Sequence, residues 1–179
     1  AGALAADQVA ALTSTQFAKL SAAQIGALGT AQIQAFTTDQ AQALTASQAA
    51  GLTTTQIAKL EVADVAKLST AVITALTTTQ IQNLEAADLA KLSTAVISTL
   101  TNAQLGGLSA AQMPDLTTSQ AQALTAAQLA SLSTTQLAGM ELGDLAKIST
   151  NAISGLTTTQ MAALTGDQIA ALTTSQFSK

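Results

Sequence analysis

The sequence predicts an all-α protein: an elongated solenoid, or superhelix, of very short capped helices, one per eight-residue repeat. Three observations predict it. A leucine, or a residue that can replace one, returns at every eighth position: Leu4, Leu12, Leu20, Leu28, Phe36, Leu44 and onward to Met140, Ile148, Leu156, Leu164 and Leu172. The register holds through 22 octads without an insertion. Within most octads a Ser or Thr stands three residues before a Gln, and an apolar residue follows that Gln. A period this short and strict marks a repeat array in which each unit packs mainly on its neighbours.

The octad is numbered here from its leucine. Position 2 is nearly always Thr or Ser, position 5 mostly Gln, and position 6 apolar, as in Val9, Phe17, Ile25, Ile33, Ile57 and Ile81. The remaining positions are mostly Ala, Thr, Ser, Gly and Gln. One continuous α-helix does not fit, because about 100° per residue leaves the leucines drifting by roughly 80° per octad, with no fixed apolar face. A single strand does not fit either, since positions 1 and 6 have opposite parity and would point to opposite faces. A short helix does fit. Ser/Thr-x-x-Gln is a capping box, with the hydroxyl accepting from the third helical N–H and the Gln reaching back to the N-cap N–H. Position 1 is then N′ and position 6 is N4, the pair that forms a hydrophobic staple.

Each octad thus supplies about six helical residues, roughly one and a half turns. Isolated helices of this length are unstable in water. Stability must come from stacking the apolar rows, with Leu12, Leu20, Leu44, Leu60, Leu76, Leu92, Leu124 and Leu156 at position 1 and Ile57, Ile73, Ile97 and Ile153 at position 6. The pairs Thr53 with Gln56, Thr77 with Gln80, and Thr157 with Gln160 represent the capping positions.

A longer repeat overlies the octads. The stretch from Phe36 (FTTDQAQALTASQAAGL) returns from Leu116 (LTTSQAQALTAAQLASL), and that from Leu60 (LEVADVAKLST) returns from Met140 (MELGDLAKIST). Both offsets are 80 residues, a block duplication of 36–115 and 116–179 inside one octad array spanning 1–179. The likeness of Leu60–Thr74 to Leu84–Ser98 adds a period of 24, which hints at three octads per coil. The duplications and the drift at positions 6 to 8 read as natural repeat evolution.

Composition excludes much chemistry. There is no Cys and no His, so disulfides, thiol nucleophiles, typical zinc sites and Ser-His-Asp triads are unavailable. Ten acidic residues against six lysines give a mild net charge of −4, and Trp and Tyr are absent, so nucleic acid is not an expected partner. Polar residues interrupt every octad and leave no transmembrane run. No signal peptide is visible, and the chain begins at Ala1, as a processed protein or a fragment of a larger one would. An enzyme is not expected, no catalytic residues are assigned, and no cofactor is implied.

Some positions depart from the consensus. Glu61 with Asp64, Glu85 with Asp88, and Glu141 with Asp144 replace the Thr/Ser and Gln of three octads. Paired carboxylates can bind calcium. The simpler reading places them at helix N-termini, where the dipole favours negative charge, with Lys67, Lys91 and Lys147 at the opposite ends. Thr triplets such as Thr53-Thr54-Thr55, Thr77-Thr78-Thr79 and Thr157-Thr158-Thr159 would form hydroxyl rows. Phe17, Phe36 and Phe177 enlarge core positions, while Ala41, Ala49 and Ala121 shrink position 6, which should vary the coil width locally. Pro114, the sole proline, is read as a harmless terminal position of its octad, the other reading being an irregular coil or joint.

The motif Ala-Leu-Thr-Thr-x-Gln-Ile, as in Ala75–Gln82 (ALTTTQIQ) and Gly155–Ala162 (GLTTTQMA), resembles the Ala/Leu/Thr/Gln-rich octapeptide tracts of very large bacterial secreted and surface, adhesin-like proteins. The acidic octads, and Val72 and Val96 at the Gln position, depart from it. The resemblance implies secretion or surface display, a scaffold or spacer role, and no catalytic residues. The ends carry no atypical polar caps, so they are expected to stack on copies of the chain, head to tail, or on flanking repeats of a larger polypeptide. The leading function is therefore an extracellular scaffold, stalk or filament-forming element. The alternative is a surface-binding module whose Thr rows meet ice, mineral or polysaccharide.

Overall fold

The structure is a computed structural model that describes residues 4–178. Among these residues every regular element is helical, and each octad contributes one helix of four to six residues. The first eleven run from Ala6–Ala10, Ser14–Phe17 and Ala22–Gly26 to Ala86–Lys91. The chain divides into two compact units, one ending at Leu92 and the other beginning at Ser93. Each is described by itself.

The backbone follows from the octad. Thr53 is extended (φ −77°, ψ 160°) and starts Thr54–Ile57. Leu76 is extended (φ −66°, ψ 142°) and ends Thr70–Ala75. Positions 1 and 2 together turn the chain, and no described residue needs a positive φ to do it. The turn is tied by the position 1 N–H donating to the position 6 carbonyl, as from Leu52 to Ala49 (3.1 Å) and from Leu60 to Ile57 (3.2 Å).

Three octads make one coil. In the first unit Ala6–Ala10 packs on Thr30–Gln34, Ser14–Phe17 on Thr38–Ala43, Ala22–Gly26 on Ala46–Ala50, and Val62–Val65 on Ala86–Lys91. In the second unit Thr118–Gln122 packs on Leu142–Leu145, and Thr150–Ile153 on Thr174–Phe177. Each partner lies 24 residues further on, the period seen between Leu60 and Leu84 in the sequence.

Position 6 forms the innermost row: Phe17, Ile25, Ile33, Ile73, Leu89, Ile97, Leu105 and Leu129 are fully buried. Each such side chain contributes about 1.5–3 kcal/mol relative to exposure. Position 1 lies next to it and is buried at Leu44, Leu60, Leu76, Leu92 and Leu124. Large and small residues compensate. Phe17 and the small Ala41 hold the same position one coil apart, and the Phe17 ring meets Phe36 edge-on at 4.8 Å. Ala49 and Ala121 are fully buried.

Small residues also permit close backbone approach. A Cβ on Gly51 would lie 2.6 Å from the Ala22 carbonyl oxygen and 2.8 Å from its Cβ. Gly155 stands in the same relation to Ala126 in the second unit.

Pro114 lies within Ala110–Asp115, which is a 3-10 helix rather than an α-helix. The expected terminal position is thus a position inside the helix. Proline has no N–H to donate back along the helix, which disfavours the α-helical bond there. The octad keeps its register: Met113 is buried in the inner row, and the Leu116 N–H donates to the Met113 carbonyl.

Candidate functional site

The most specific polar feature is built from the position 5 glutamines. Thr53 Oγ1 accepts from the Gln56 N–H (3.2 Å), while the Thr53 N–H donates to Gln56 Oε1 (2.7 Å). The same reciprocal pair joins Thr77 with Gln80 (2.7 and 3.2 Å) and Thr157 with Gln160 (2.8 and 3.2 Å). These bonds satisfy N–H groups that a helix start leaves open.

The other end of the amide reaches the preceding coil. Gln40 Nε2 donates to the carbonyls of Val9 (2.8 Å) and Leu12 (2.7 Å). Gln48 reaches Phe17 and Leu20 (both 2.9 Å), and Gln56 reaches Ile25 (3.0 Å) and Leu28 (2.7 Å). In the second unit Gln136 reaches Leu105 and Leu108, and Gln160 reaches Leu129 and Leu132. The main acceptors lie 31 and 28 residues back, at position 6 of one octad and position 1 of the next, and Gln40, Gln56, Gln136 and Gln160 add a longer bond to the carbonyl 30 residues back (3.2–3.3 Å). These are carbonyls of the last helical turn and the bend; the position 6 carbonyl also accepts from the position 1 N–H that ties the turn, and the amide fills its second acceptor site. One glutamine therefore caps the N-terminus of its own helix and latches the bend of the coil below. These glutamines are buried, where an unmade hydrogen bond costs about 1–3 kcal/mol.

The latching role was not read from the sequence, though a signal existed. A capping box accepts Glu as readily as Gln. Position 5 here holds Gln in every octad except those of Asp64, Val72, Asp88, Val96, Asp144 and Ala152, and never Glu. An ionised carboxylate only accepts, whereas an amide offers an acceptor to one side and a donor to the other.

The acidic octads differ from their expected form. Glu61, Glu85 and Glu141 are exposed N-cap residues whose side chains make no cap hydrogen bond. Asp64, Asp88 and Asp144 are not surface charges facing a helix dipole: each is only 2% exposed. Asp88 Oδ2 accepts from the Glu85 N–H at 3.2 Å. One oxygen of each carboxyl, Asp64 Oδ2, Asp88 Oδ1 and Asp144 Oδ2, is buried with no hydrogen-bond partner. Burial, with the Glu61 carboxylate beside it, pushes Asp64 up to about 6 from its ordinary 3.8. Burial raises Asp88 too, against the lowering effect of its bond from the Glu85 backbone and with a smaller push from the Glu85 charge. Among the described residues no three acidic, His or Cys side chains converge. Lys67, Lys91 and Lys147 are exposed at the far ends of these octads.

Of the core positions expected from the sequence, Leu12, Leu20 and Leu156 are only half-buried. Leu12 and Leu20 lie in the first coil and Leu156 close to the last. Thr53, Thr77 and Thr157 are exposed, but their hydroxyls serve as caps, and Thr54 and Thr78 are half-buried.

A profile of the ALTTAQ repeat matches residues 18–60, 57–85, 81–118 and 137–174. The chain belongs to the ALTTAQ repeat family. The six letters are position 8 of one octad followed by positions 1 to 5 of the next, so the name ends on the latching glutamine. The ALTTAQ matches span the acidic octads as well as the regular ones. No match is found among curated proteins. Among the described residues of this ALTTAQ array, no helix is long and apolar enough to cross a membrane.

Proposed function

We propose that this ALTTAQ array is a structural scaffold outside the cell or on its surface, extended by head-to-tail stacking of octads on its open faces. The observation that carries this reading is the complementarity of those faces. In the first coil Gln8, Gln16 and Gln24 are exposed, whereas Gln40 and Gln48 one coil later are buried. Their amides stand where latching donors stand elsewhere. At the other end of the array the carbonyls of Ile153 and Leu156, Met161 and Leu164, and Ile169 and Leu172 hold the acceptor register. Beside them Ile169 is 40% and Phe177 55% exposed, although both occupy the innermost core position. A groove of about 190 Å³ opens there, lined by Ile153, Leu156, Met161, Leu172, Gln176 and Phe177. A second copy would bring donors to acceptors and leucines to the open core. The contact is heterologous, so it propagates unless its rotation closes a ring. The resemblance to tracts of large secreted and surface proteins supports the location. Catalysis has no part in this reading.

Negative-stain microscopy over a concentration series tests it, with Ile169→Lys/Phe177→Lys as the partner sample. Particle length should grow with concentration for the natural chain and stay constant for the variant. A natural chain of one length at every concentration would end the self-stacking reading and leave a spacer flanked by other repeats. Antibody accessibility on intact cells tests the location.

A further inference from the structure

The register of the glutamine latch defines what the acidic octads face. A position 5 side chain addresses the carbonyls 31 and 28 residues back. For Asp64 these are Ile33 and Phe36, for Asp88 Ile57 and Leu60, and for Asp144 Met113 and Leu116. The Ile33 and Ile57 carbonyls already accept from the N–H of Phe36 and Leu60. In each acidic octad a buried, unpartnered carboxylate oxygen thus occupies the register position at which the rest of the array carries an amide donor, on a side chain one methylene shorter. Acceptor against acceptor is repulsive, and burial of the charge adds a desolvation cost. A single proton on the carboxyl converts the oxygen into a donor and removes the charge.

We propose that Asp64 and Asp88 are proton-operated latches: protonated, each donates its carboxyl O–H to a carbonyl of the preceding coil as glutamine does, and ionised, each releases that coil. The charged surroundings are few. Val62–Val65 packs on Thr38–Ala43, which carries Asp39, and on Ala86–Lys91, which carries Asp88 and Lys91 and follows Glu85. Glu61 and Lys67 flank Asp64 on its own octad. Asp64 and Asp88 lie one coil apart in the same row, on helices that pack together. The neighbouring octads hold Val72 and Val96 at the latch position, and these offer no donor to compensate.

The direction of the pH response follows. A carboxyl raised from 3.8 to about 6 in the folded chain holds its proton more tightly folded than unfolded. Its contribution to stability is fully present below 3.8, falls as pH rises towards 6, and stays low above that. This is the reverse of an ion-paired aspartate. The acidic octads should be locked in mild acid and loosened at neutral pH, while the glutamine octads do not respond.

Amide hydrogen exchange on the full chain, corrected for intrinsic rates, tests this at pH 4.5 and 7.5. Protection in Val62–Val65 and Ala86–Lys91 should fall by about tenfold or more on raising the pH, the raised value of Asp64 alone accounting for roughly 30-fold between these two pH values. Protection in Ala46–Ala50, latched by Gln48, should stay level. Asp64→Asn/Asp88→Asn should flatten the response, and Asp64→Gln/Asp88→Gln should do so while raising protection at pH 7.5. The infrared band of protonated carboxyls should be stronger at pH 5 in the natural chain than in either variant, by about the two carboxyls removed. Equal pH responses in natural chain and variants would overturn the proposal. So would millimolar calcium restoring protection at pH 7.5 in the natural chain alone, because the gap would then hold a cation and not a proton.

Discussion

Two neighbouring stretches of the first unit share a core and differ in their polar joints. From Thr37 to Ile57 three consecutive octads carry Gln40, Gln48 and Gln56, each buried and each donating to two or three carbonyls of the preceding coil. From Leu60 to Leu92 the same position runs Asp64, Val72, Gln80, Asp88, and of these the glutamine alone bridges coils, to Ala49 (3.0 Å) and Leu52 (2.6 Å). Yet Ile57, Ile73, Ile81 and Leu89 are equally buried in the inner row, and the helices keep one register. The apolar rows and hydroxyl caps therefore suffice to form the coil. The latch is a separate contribution, present in all three octads of one coil and in one octad of the next. Cohesion between coils is graded along the chain while the fold is constant.

The comparison breaks most sharply if a latched octad is given acidic chemistry. Gln48→Glu keeps the side-chain length and the capping oxygen, and turns a donor against the Phe17 and Leu20 carbonyls into an acceptor. Urea unfolding should show a loss of about 3 kcal/mol at pH 7, the scale of a buried charge without its partner. The loss should shrink at pH 4.5, where the carboxyl can be protonated. A loss below about 0.5 kcal/mol at pH 7 would mean that the latch is not what separates the two stretches.

The contrast shows what the sequence could disclose. Local rules read the octad directly: a hydroxyl three residues before Gln, with apolar neighbours on both sides, specifies a capped helix from eight residues. The core row followed from the same register, and its lapses at Leu12, Leu20 and Leu156 reflect position in the stack, which no local rule contains. The latch joins residues 28 and 31 apart, so it becomes visible only once three octads are known to close a coil. For that reason Asp64 and Asp88 read as helix-dipole charges in the sequence and as buried acids in the structure. Pro114 misled for a related reason: a helix of one and a half turns has almost no terminal position distinct from its interior.

A steric change can part the coils without altering charge. Gly51→Ala would place a methyl group 2.6 Å from the Ala22 carbonyl oxygen and 2.8 Å from its Cβ, inside a coil held by all three glutamines. Backbone must shift, and overpacking of this kind costs about 2 kcal/mol. The effect should be independent of pH, which distinguishes it from Gln48→Glu. Gly166→Ala is its control, since a Cβ there meets nothing within 4 Å, and it should stabilise by about 0.5 kcal/mol. Equal melting shifts for the two alanine variants would show that coil spacing is not fixed by the backbone contact at Gly51.

The smallest effect separates the cap from the latch. Thr53→Ala removes the hydroxyl that accepts from the Gln56 N–H but leaves both Gln56 bonds to the Ile25 and Leu28 carbonyls. Ser93→Ala removes the equivalent hydroxyl from an octad whose position 5 is Val96, so no glutamine steadies that helix start. Loss of an N-cap hydroxyl costs about 1 kcal/mol in either setting. The Thr53 variant should lose slightly less, because Gln56 Oε1 still accepts from the residue 53 N–H and holds the cap geometry, while the Ser93 variant has no second bond to hold it. Thermal melts of the two single variants resolve the order. A larger loss at Thr53 would mean that cap and latch act as one cooperative unit, in which removing the hydroxyl also misaligns the amide that reaches the coil below.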